Sequence, residues 1–258
     1  MILEIQICTI GDGILKVPEM LLQERPDVRY LVSWQNGNPL DVPKAEVLSC
    51  FRRKDVRLFT LQGRGLSRNR NNALMRTEGD IVLISDDDCK YTNEYLDNII
   101  STYRQEPEAD VILFKANYPK AYPAGQMSYR KAMRCKGYYP ASVEITIARK
   151  TIESGLRFNE DFGLGSGKHI CGEESVLLKD AERSGMNILF VPRLIVDTPA
   201  GTTGEKFLTD INVQKAKGAT FRYCYPRWEA WLRCWKEALH HAIYNHADAR
   251  KIFKNMWQ

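Results

Sequence analysis

Runs of apolar and β-branched residues alternate with glycine- and asparagine-rich breaks along the first half of the chain. Leu3 to Ile10 reads as a strand, partly alternating and partly continuous, ended by the turn signal Gly11-Asp12-Gly13. Residues 15–25 suit a short helix before Pro26. Val28 to Trp34 reads as a second strand, stopped by Gln35-Asn36-Gly37-Asn38-Pro39. Residues 40–53 read as a loop or irregular helix, and Asp55 to Leu61 as a third strand. Ser67 to Thr77 has a helical pattern that Glu78-Gly79 breaks, and residues 80–85 form a fourth apolar run.

Farther on, Asn93 to Gln105 predicts a helix with Leu96, Ile99, Ile100 and Tyr103 on its inner face. Val111 to Ala116 predicts a strand. Residues 117–141 show no clear period and read as a long mobile loop, with a basic helical turn near Arg130 to Arg134. Val143 to Ala148, Ile188 to Val191 and Leu194 to Val196 read as strands, the last two flanking Pro192. Glu173 to Ser184 predicts a helix stopped by Gly185. Strand, turn and helix in alternation indicate an α/β fold with a mostly parallel sheet flanked by helices. In such sheets ligands bind beyond the carboxyl ends of the strands. The loops Thr9 to Gly13, Trp34 to Asn38, Gly63 to Arg70 and Asp86 to Cys89 should therefore gather into one nucleotide-sized crevice.

Asp86-Asp87-Asp88 stands at the end of the fourth run. Three adjacent carboxylates repel one another, and a hard divalent cation offsets that repulsion. The first and third would converge on the cation while the middle one points away. An exposed acidic turn capping the next helix is the alternative. Gly65-Leu66-Ser67-Arg68-Asn69-Arg70-Asn71 opens a helix after glycine. That arrangement offers an anion backbone N–H groups, a helix dipole and an arginine at 68 or 70. An Arg-rich solvated helix face is the competing reading. Glu173 and Glu174 occupy a first helical turn, which the dipole favours by itself; the functional reading makes one of them a general base. The glycine-rich stretch Phe162 to Gly167 would close over substrate. His169, Cys171 and Glu173 have poor spacing for a zinc set.

Composition narrows the setting. The 258 residues include 7 cysteines, odd in number, with no Cys-x-x-Cys pair, which suits a reducing cytoplasm. The start reads as a first strand and not as a signal peptide, and no apolar run approaches the ~20 residues of a membrane span. The net charge of +5 is uneven: residues 206–258 carry a surplus of +6, leaving about −1 for the rest. That tail also predicts a helix over Arg227 to Tyr244, with Trp228, Trp231, Leu232, Trp235, Leu239 and Ala242 on one stripe. Packing of that stripe on its own domain and attachment to an anionic membrane surface or a partner both remain open. Nothing in the tail matches a nucleic-acid-binding module.

Taken together, the motifs resemble family 2 glycosyltransferases of the GT-A, Rossmann-like fold, of the type that serves bacterial polysaccharide synthesis. The pattern runs from Thr9, Ser33, Gln35 and Asn36 through Gly65, Ser67, Arg70 and Asn71 to the Asp-x-Asp pair Asp86 and Asp88. Phe158-Asn159-Glu160-Asp161-Phe162-Gly163, Gly172-Glu173-Glu174-x-x-Leu177 and Phe190-Val191-Pro192 continue it. The resemblance implies a GT-A domain over residues 1–204, with a nucleotide-sugar half (1–116) and an acceptor half (117–204), followed by a basic helical extension (205–258). It implies an inverting, metal-dependent transferase taking a UDP- or GDP-sugar to a saccharide or lipid-linked hydroxyl. Asp88 and Asp86 would hold Mg²⁺ or Mn²⁺. Thr9, Asp12, Gln35, Gly65, Ser67, Arg70 and Asp86 would bind the donor. Glu174 would act as base, with Glu173 helping to hold the acceptor. Beyond the resemblance, the cysteine usage and the tail helix give the expected location: cytoplasmic, with peripheral contact at the inner membrane face through that helix as the functional alternative. Three departures stand out: Glu174 replaces the usual Asp, the first two strands lack a terminal Asp, and Asp197 or Thr198 stands where a metal-binding His is common. The rival readings are a sugar-nucleotide nucleotidyltransferase, for which the first loop is poor in glycine, and a degenerate nucleotide-sugar-binding protein.

Overall fold

The computed structural model describes residues 1–36, 49–199 and 203–258. The breaks and loop read at 37–48, and residues 200–202, lie outside the described residues. In chain order the strands are β1 (Leu3–Ile10), β2 (Val28–Asn36), β3 (Val56–Gln62), β4 (Ile81–Asp86), β5 (Val111–Asn117), β6 (Met127–Ser128), β7 (Ile145–Ala148) and β8 (Ile188–Asp197). The α-helices are α1 (Val17–Met20), α2 (Leu66–Leu74), α3 (Asn93–Gln105), α4 (Tyr129–Ala132), α5 (Arg149–Glu153), α6 (Glu173–Arg183), α7 (Ile211–Cys224), α8 (Arg227–Asn245) and α9 (Ala249–Trp257).

The chain divides into two compact units. The first holds Met1–Arg64, Arg68–Arg157 and Asp180–Ala200, and with them the eight strands of the described residues. They form one sheet in the order β3-β2-β1-β4-β7-β5-β8-β6. The pairs β3–β2, β2–β1, β1–β4 and β5–β8 are parallel. The short β7 lies antiparallel between β4 and β5, and β6 lies antiparallel on β8. The sheet is thus two parallel blocks joined through an antiparallel strand.

The partial alternation of β1 does not mark a wet face. Glu4 and Gln6 are as buried as Leu3, Ile5 and Ile7. Glu4 pairs with Arg57 at 2.7 Å and accepts from Thr77; Gln6 Nε2 donates to Ala73 O at 3.2 Å. Buried polar groups persist only with such partners. Helix α3 matches its pattern: Thr92 caps it through Tyr95 N–H, and Leu96, Ile99, Ile100 and Tyr103 are buried.

Three readings need correction. Residues 15–25 hold a 3₁₀ stretch (Gly11–Lys16) and the four-residue α1 in place of one helix, with Pro18 in the first turn of α1. The strands about Pro192 are one strand, β8. Its register on β5 shifts between Leu113 and Lys115, and that irregularity accommodates a residue with no N–H. Residues 117–141 are not a free loop. Lys120 Nζ pairs with the buried carboxylate of Glu144 at 2.7 Å and bonds Tyr139 O at 2.7 Å. Tyr122 donates to the same carboxylate at 2.5 Å, and the rings of Tyr122 and Tyr138 pack on Phe190. An ion pair so buried is weak as a source of stability but costly to break, so it fixes where the segment lies.

The second unit holds Gly65–Ser67, Phe158–Lys179 and Gly201–Gln258. Its core joins Phe207, Val213, Cys234, Ala238, Ile252 and Met256, with Ile170, Cys171, Phe221, Phe253 and Trp257 packed against them. On α8 the buried stripe is Ala230, Cys234 and Ala238. Trp228, Trp231, Leu232 and Leu239 are exposed. Periodicity located the two faces; side-chain size decided which turned inward, because small residues let helices approach closely.

Candidate active site

The carboxyl ends of β1, β2 and β4 lie side by side, with Cys8 opposite Asp86 and Thr9 opposite Trp34 in parallel register. Helix α2 is bolted to these ends by its asparagines. Asn69 Nδ2 donates to Thr9 O at 3.2 Å and to Ser33 O at 3.0 Å. Ser33 Oγ donates to Asn69 Oδ1 at 2.6 Å and accepts from Asn72 Nδ2 at 2.7 Å. Asn69, Arg70, Asn71 and Asn72 are all buried, so the solvated-face reading of this helix holds for Arg68 and fails for Arg70.

Arg70 is 1% exposed, and its Nη2 lies 3.0 Å from Asp86 Oδ1. Serine 142, unnoticed in the sequence, donates from Oγ to Asp86 Oδ2 at 3.5 Å. Arg70 therefore orients Asp86 directly, through a charge-assisted hydrogen bond from a buried guanidinium.

Asp87 does not point away to no purpose. Thr9 Oγ1 donates to its Oδ2 at 2.5 Å, and Lys16 Nζ lies 3.4 Å from Oδ1. A Cβ on Gly13 would stand 2.1 Å from Asp87 Oδ2 and 2.4 Å from Thr9 Oγ1, so the contact requires glycine there. Asp88 is the most exposed of the three. Partial desolvation, followed by the charges of Asp86 and Asp87, raises its pKa, and Lys16 opposes the rise. Beneath them, burial pushes the Cys8 thiol up to about 12 against the pull of Arg70, so it stays neutral. Lys16, three residues after Gly13, is a residue of this cluster that the motif pattern does not single out.

Of the other donor-site candidates, Asp12 is exposed in the 3₁₀ stretch, where Trp34 Nε1 donates to Gly11 O at 2.9 Å. Gln35 is buried, and its Nε2 has no hydrogen-bond partner among the described residues. A buried amide donor lacking a partner is costly unless a ligand or water supplies one.

The second unit contains Gly65, Ser67, Glu173 and Glu174. Ser67 Oγ donates to Phe162 O at 2.5 Å, and Leu66 N–H to Leu164 O at 2.8 Å. That backbone N–H, one of those read as offered to an anion, is therefore taken. Gly163, at φ +105°, sits where a Cβ would meet Ser67 Oγ at 3.0 Å and the Glu173 carboxyl carbon at 3.5 Å. Glu173 is buried and Glu174 half-buried. His169 packs on Phe162 at 4.7 Å, its pKa lowered by burial and then by Arg222. Burial, then Glu173 and Glu174, push the Cys171 thiol up to about 12.

Among the described residues no three His, Cys, Asp or Glu side chains are grouped as metal ligands. Asp197 is committed elsewhere: Asn117 Nδ2 donates to it at 2.8 Å and Tyr95 OH at 3.3 Å, and its backbone bridges to Lys90. Asp86 and Asp88 nonetheless suit a cation that takes one or two carboxylates and completes its shell with diphosphate oxygens and water.

Comparisons with known proteins bear on the family and the fold. Residues 43–161 match the glycosyl transferase family 2 model. That span contains Gly65, Ser67, Arg70, Asp86 and Asp88; Thr9, Gln35, Glu173 and Glu174 fall outside it. No curated protein sequence matches the chain. Among solved structures, the fold is similar to S. aureus TarS residues 1–349 in complex with UDP-GlcNAc: TM-score 0.62, 14% identity, 95% of this chain and 73% of that one. The UDP complex of the same protein gives TM-score 0.60 at 16% identity, over 95% and 73%. A mycobacterial protein gives 0.56 at 14%, over 86% and 74%. No helix among the described residues is long and apolar enough to cross a membrane. The sheet, its flanking helices and the matched segment together lead to one statement: residues 43–161 are similar to the glycosyl transferase family 2 model, and the chain has a GT-A-like fold.

Proposed function

We propose that the protein transfers a sugar, with inversion, from a nucleoside-diphosphate sugar to a saccharide or lipid-linked hydroxyl. The observation that carries the reading is the buried Arg70 holding Asp86 at the carboxyl end of β4, inside the matched segment. Thr9 and Gln35 end the neighbouring strands, and the partnerless amide of Gln35 suits a base or ribose oxygen. TarS was solved with UDP-GlcNAc and UDP, which makes uridine nucleotides the first donors to test.

In this reading the acceptor oxygen attacks the anomeric carbon as the bond to the diphosphate oxygen breaks, and the acceptor proton passes to Glu174. Glu173 helps hold the acceptor. Asp88 and Asp86 would hold Mg²⁺ or Mn²⁺, whose charge would offset that of the departing diphosphate. Arg70 keeps Asp86 aimed. Asp87, fixed by Thr9 and Lys16, sets the turn that carries Asp88. Cytoplasmic UDP- and GDP-sugars should be consumed in the presence of Mn²⁺ and an acceptor. Full activity in both Asp88→Ala and Glu174→Gln would refute the mechanism. Nucleotide binding without turnover across a broad acceptor panel would favour a binding protein instead.

A further inference from the structure

The second unit has a surface that sugar transfer does not use. Helix α8 runs for 19 residues and buries only its small side chains. Along its other side Trp228 is 67% exposed, Leu232 51%, Leu239 49% and Ile243 67%. These positions follow i, i+4, i+11, i+15, one stripe of a helix. Trp231 and Trp235 continue the stripe and meet Phe253 of α9, Trp231 edge-on at 5.8 Å and Trp235 stacked at 4.2 Å. An aliphatic and aromatic face on α8, bordered by the half-buried Phe253 and Trp257 of α9, thus meets solvent.

The charges around it are one-sided. Residues 206–258 hold four acids, and each is engaged. Asp210 caps α7, Asp248 caps α9, Glu229 pairs with Arg233, and Glu237 with Lys217 and His241. Arg227, Lys236, Arg250, Lys251 and Lys254 are exposed and have no acid partner among the described residues. Arg250 and Lys254 share the α9 face that carries Phe253 and Trp257, by their i, i+3, i+4, i+7 spacing.

We propose that this face docks on an anionic lipid surface, with Trp228, Leu232, Leu239 and Ile243 in the acyl boundary and the unpaired cations on the headgroups. Tryptophan suits that depth, where one edge is apolar and the other wet. A second copy would fit poorly, because an isologous contact would set unpaired cations against their own counterparts. A soluble polyanion would satisfy the cations and leave the aliphatic stripe in water.

The test is flotation of the full chain with two vesicle populations, pure phosphatidylcholine and 30% phosphatidylglycerol in phosphatidylcholine. The expected result is partition onto the anionic vesicles alone, weakened by salt, with a blue shift of tryptophan emission. Arg250→Gln with Lys254→Gln should weaken binding about thirty-fold, taking about a tenfold step per 1.4 kcal/mol and roughly 1 kcal/mol per basic residue. Leu232→Asn with Ile243→Asn should abolish the blue shift. Far-UV circular dichroism and the nucleotide-induced thermal shift of both variants should match the parent, which separates this proposal from the reading of the active site. Equal partition onto both vesicles, or none, overturns it. So does a dimer in sedimentation that Leu232→Asn with Ile243→Asn dissolves in the absence of lipid.

Discussion

The strand-end cluster of the first unit and the outer face of α8 and α9 treat charge in opposite ways. At the strand ends, Asp86 has Arg70, and Asp87 has Lys16 and Thr9. Around α8 and α9 the acids are used up and five cations remain. Internal pairing fixes side chains in place and makes a preorganised site. Leftover like charge beside apolar surface has its counterpart outside the chain. The first region is built for geometry and the second for attachment.

Glu174→Gln should break the active-site half of that contrast most severely. In the proposed mechanism it removes the proton acceptor, so turnover should fall by about 10²–10⁴ while nucleotide binding persists. Single-turnover rates beside nucleotide titrations check it; a matching loss in nucleotide affinity would reassign Glu174 to the donor.

Asp88→Ala should lower turnover by about 10²–10³ and remove Mn²⁺-dependent nucleotide binding. Calorimetry with and without Mn²⁺ reads this directly. Gly13→Ala probes preorganisation without touching a charge. The new Cβ must displace Asp87 or Thr9, at an expected cost of about 1–3 kcal/mol in urea denaturation.

The smallest effect is a pH control on ordinary surface pairing. The hydrogen bonds from Arg25 lower the pKa of Asp27 against its partial burial. A lowered carboxylate contributes stability above its unfolded pKa of about 3.9 and loses it as pH falls through the folded value. Asp27→Asn should therefore cost under about 1 kcal/mol at pH 7 and nothing near pH 2. Thermal melts of both proteins across that range check the sign.

Where one signal governed an element, the sequence was legible. The apolar run before Asp86 is buried in β4, and the four apolar positions of α3 face the core. Long-range partners were not legible. Glu4 is buried because Arg57 and Thr77 reach it, and Lys120 because Glu144 does. Nothing local announces either pairing. The antiparallel β7 between parallel blocks is likewise a fact of topology, invisible in its four residues. The α8 stripe shows a subtler limit: the period was plain, yet Ala230, Cys234 and Ala238 turned inward and Trp228 and Trp231 outward. At the site, the motif pointed to Asp86 and Asp88, while the ties of Asp87 to Thr9 and Lys16 rest on residues more than seventy positions away.

The central claim is that Asp86 and Asp88 form a preorganised metal–diphosphate site. Thermal melts with UDP or GDP, each with and without Mn²⁺, test it most directly. At a hundredfold excess over Kd a bound nucleotide should stabilise the fold by about 2.7 kcal/mol, or about 2–4 °C in Tm for each of those kcal/mol. The account predicts a shift with one nucleotide that grows with Mn²⁺ and loses its Mn²⁺ dependence in Asp88→Ala. A shift that is the same with and without Mn²⁺ in the parent protein, or one that Asp88→Ala leaves untouched, would contradict it.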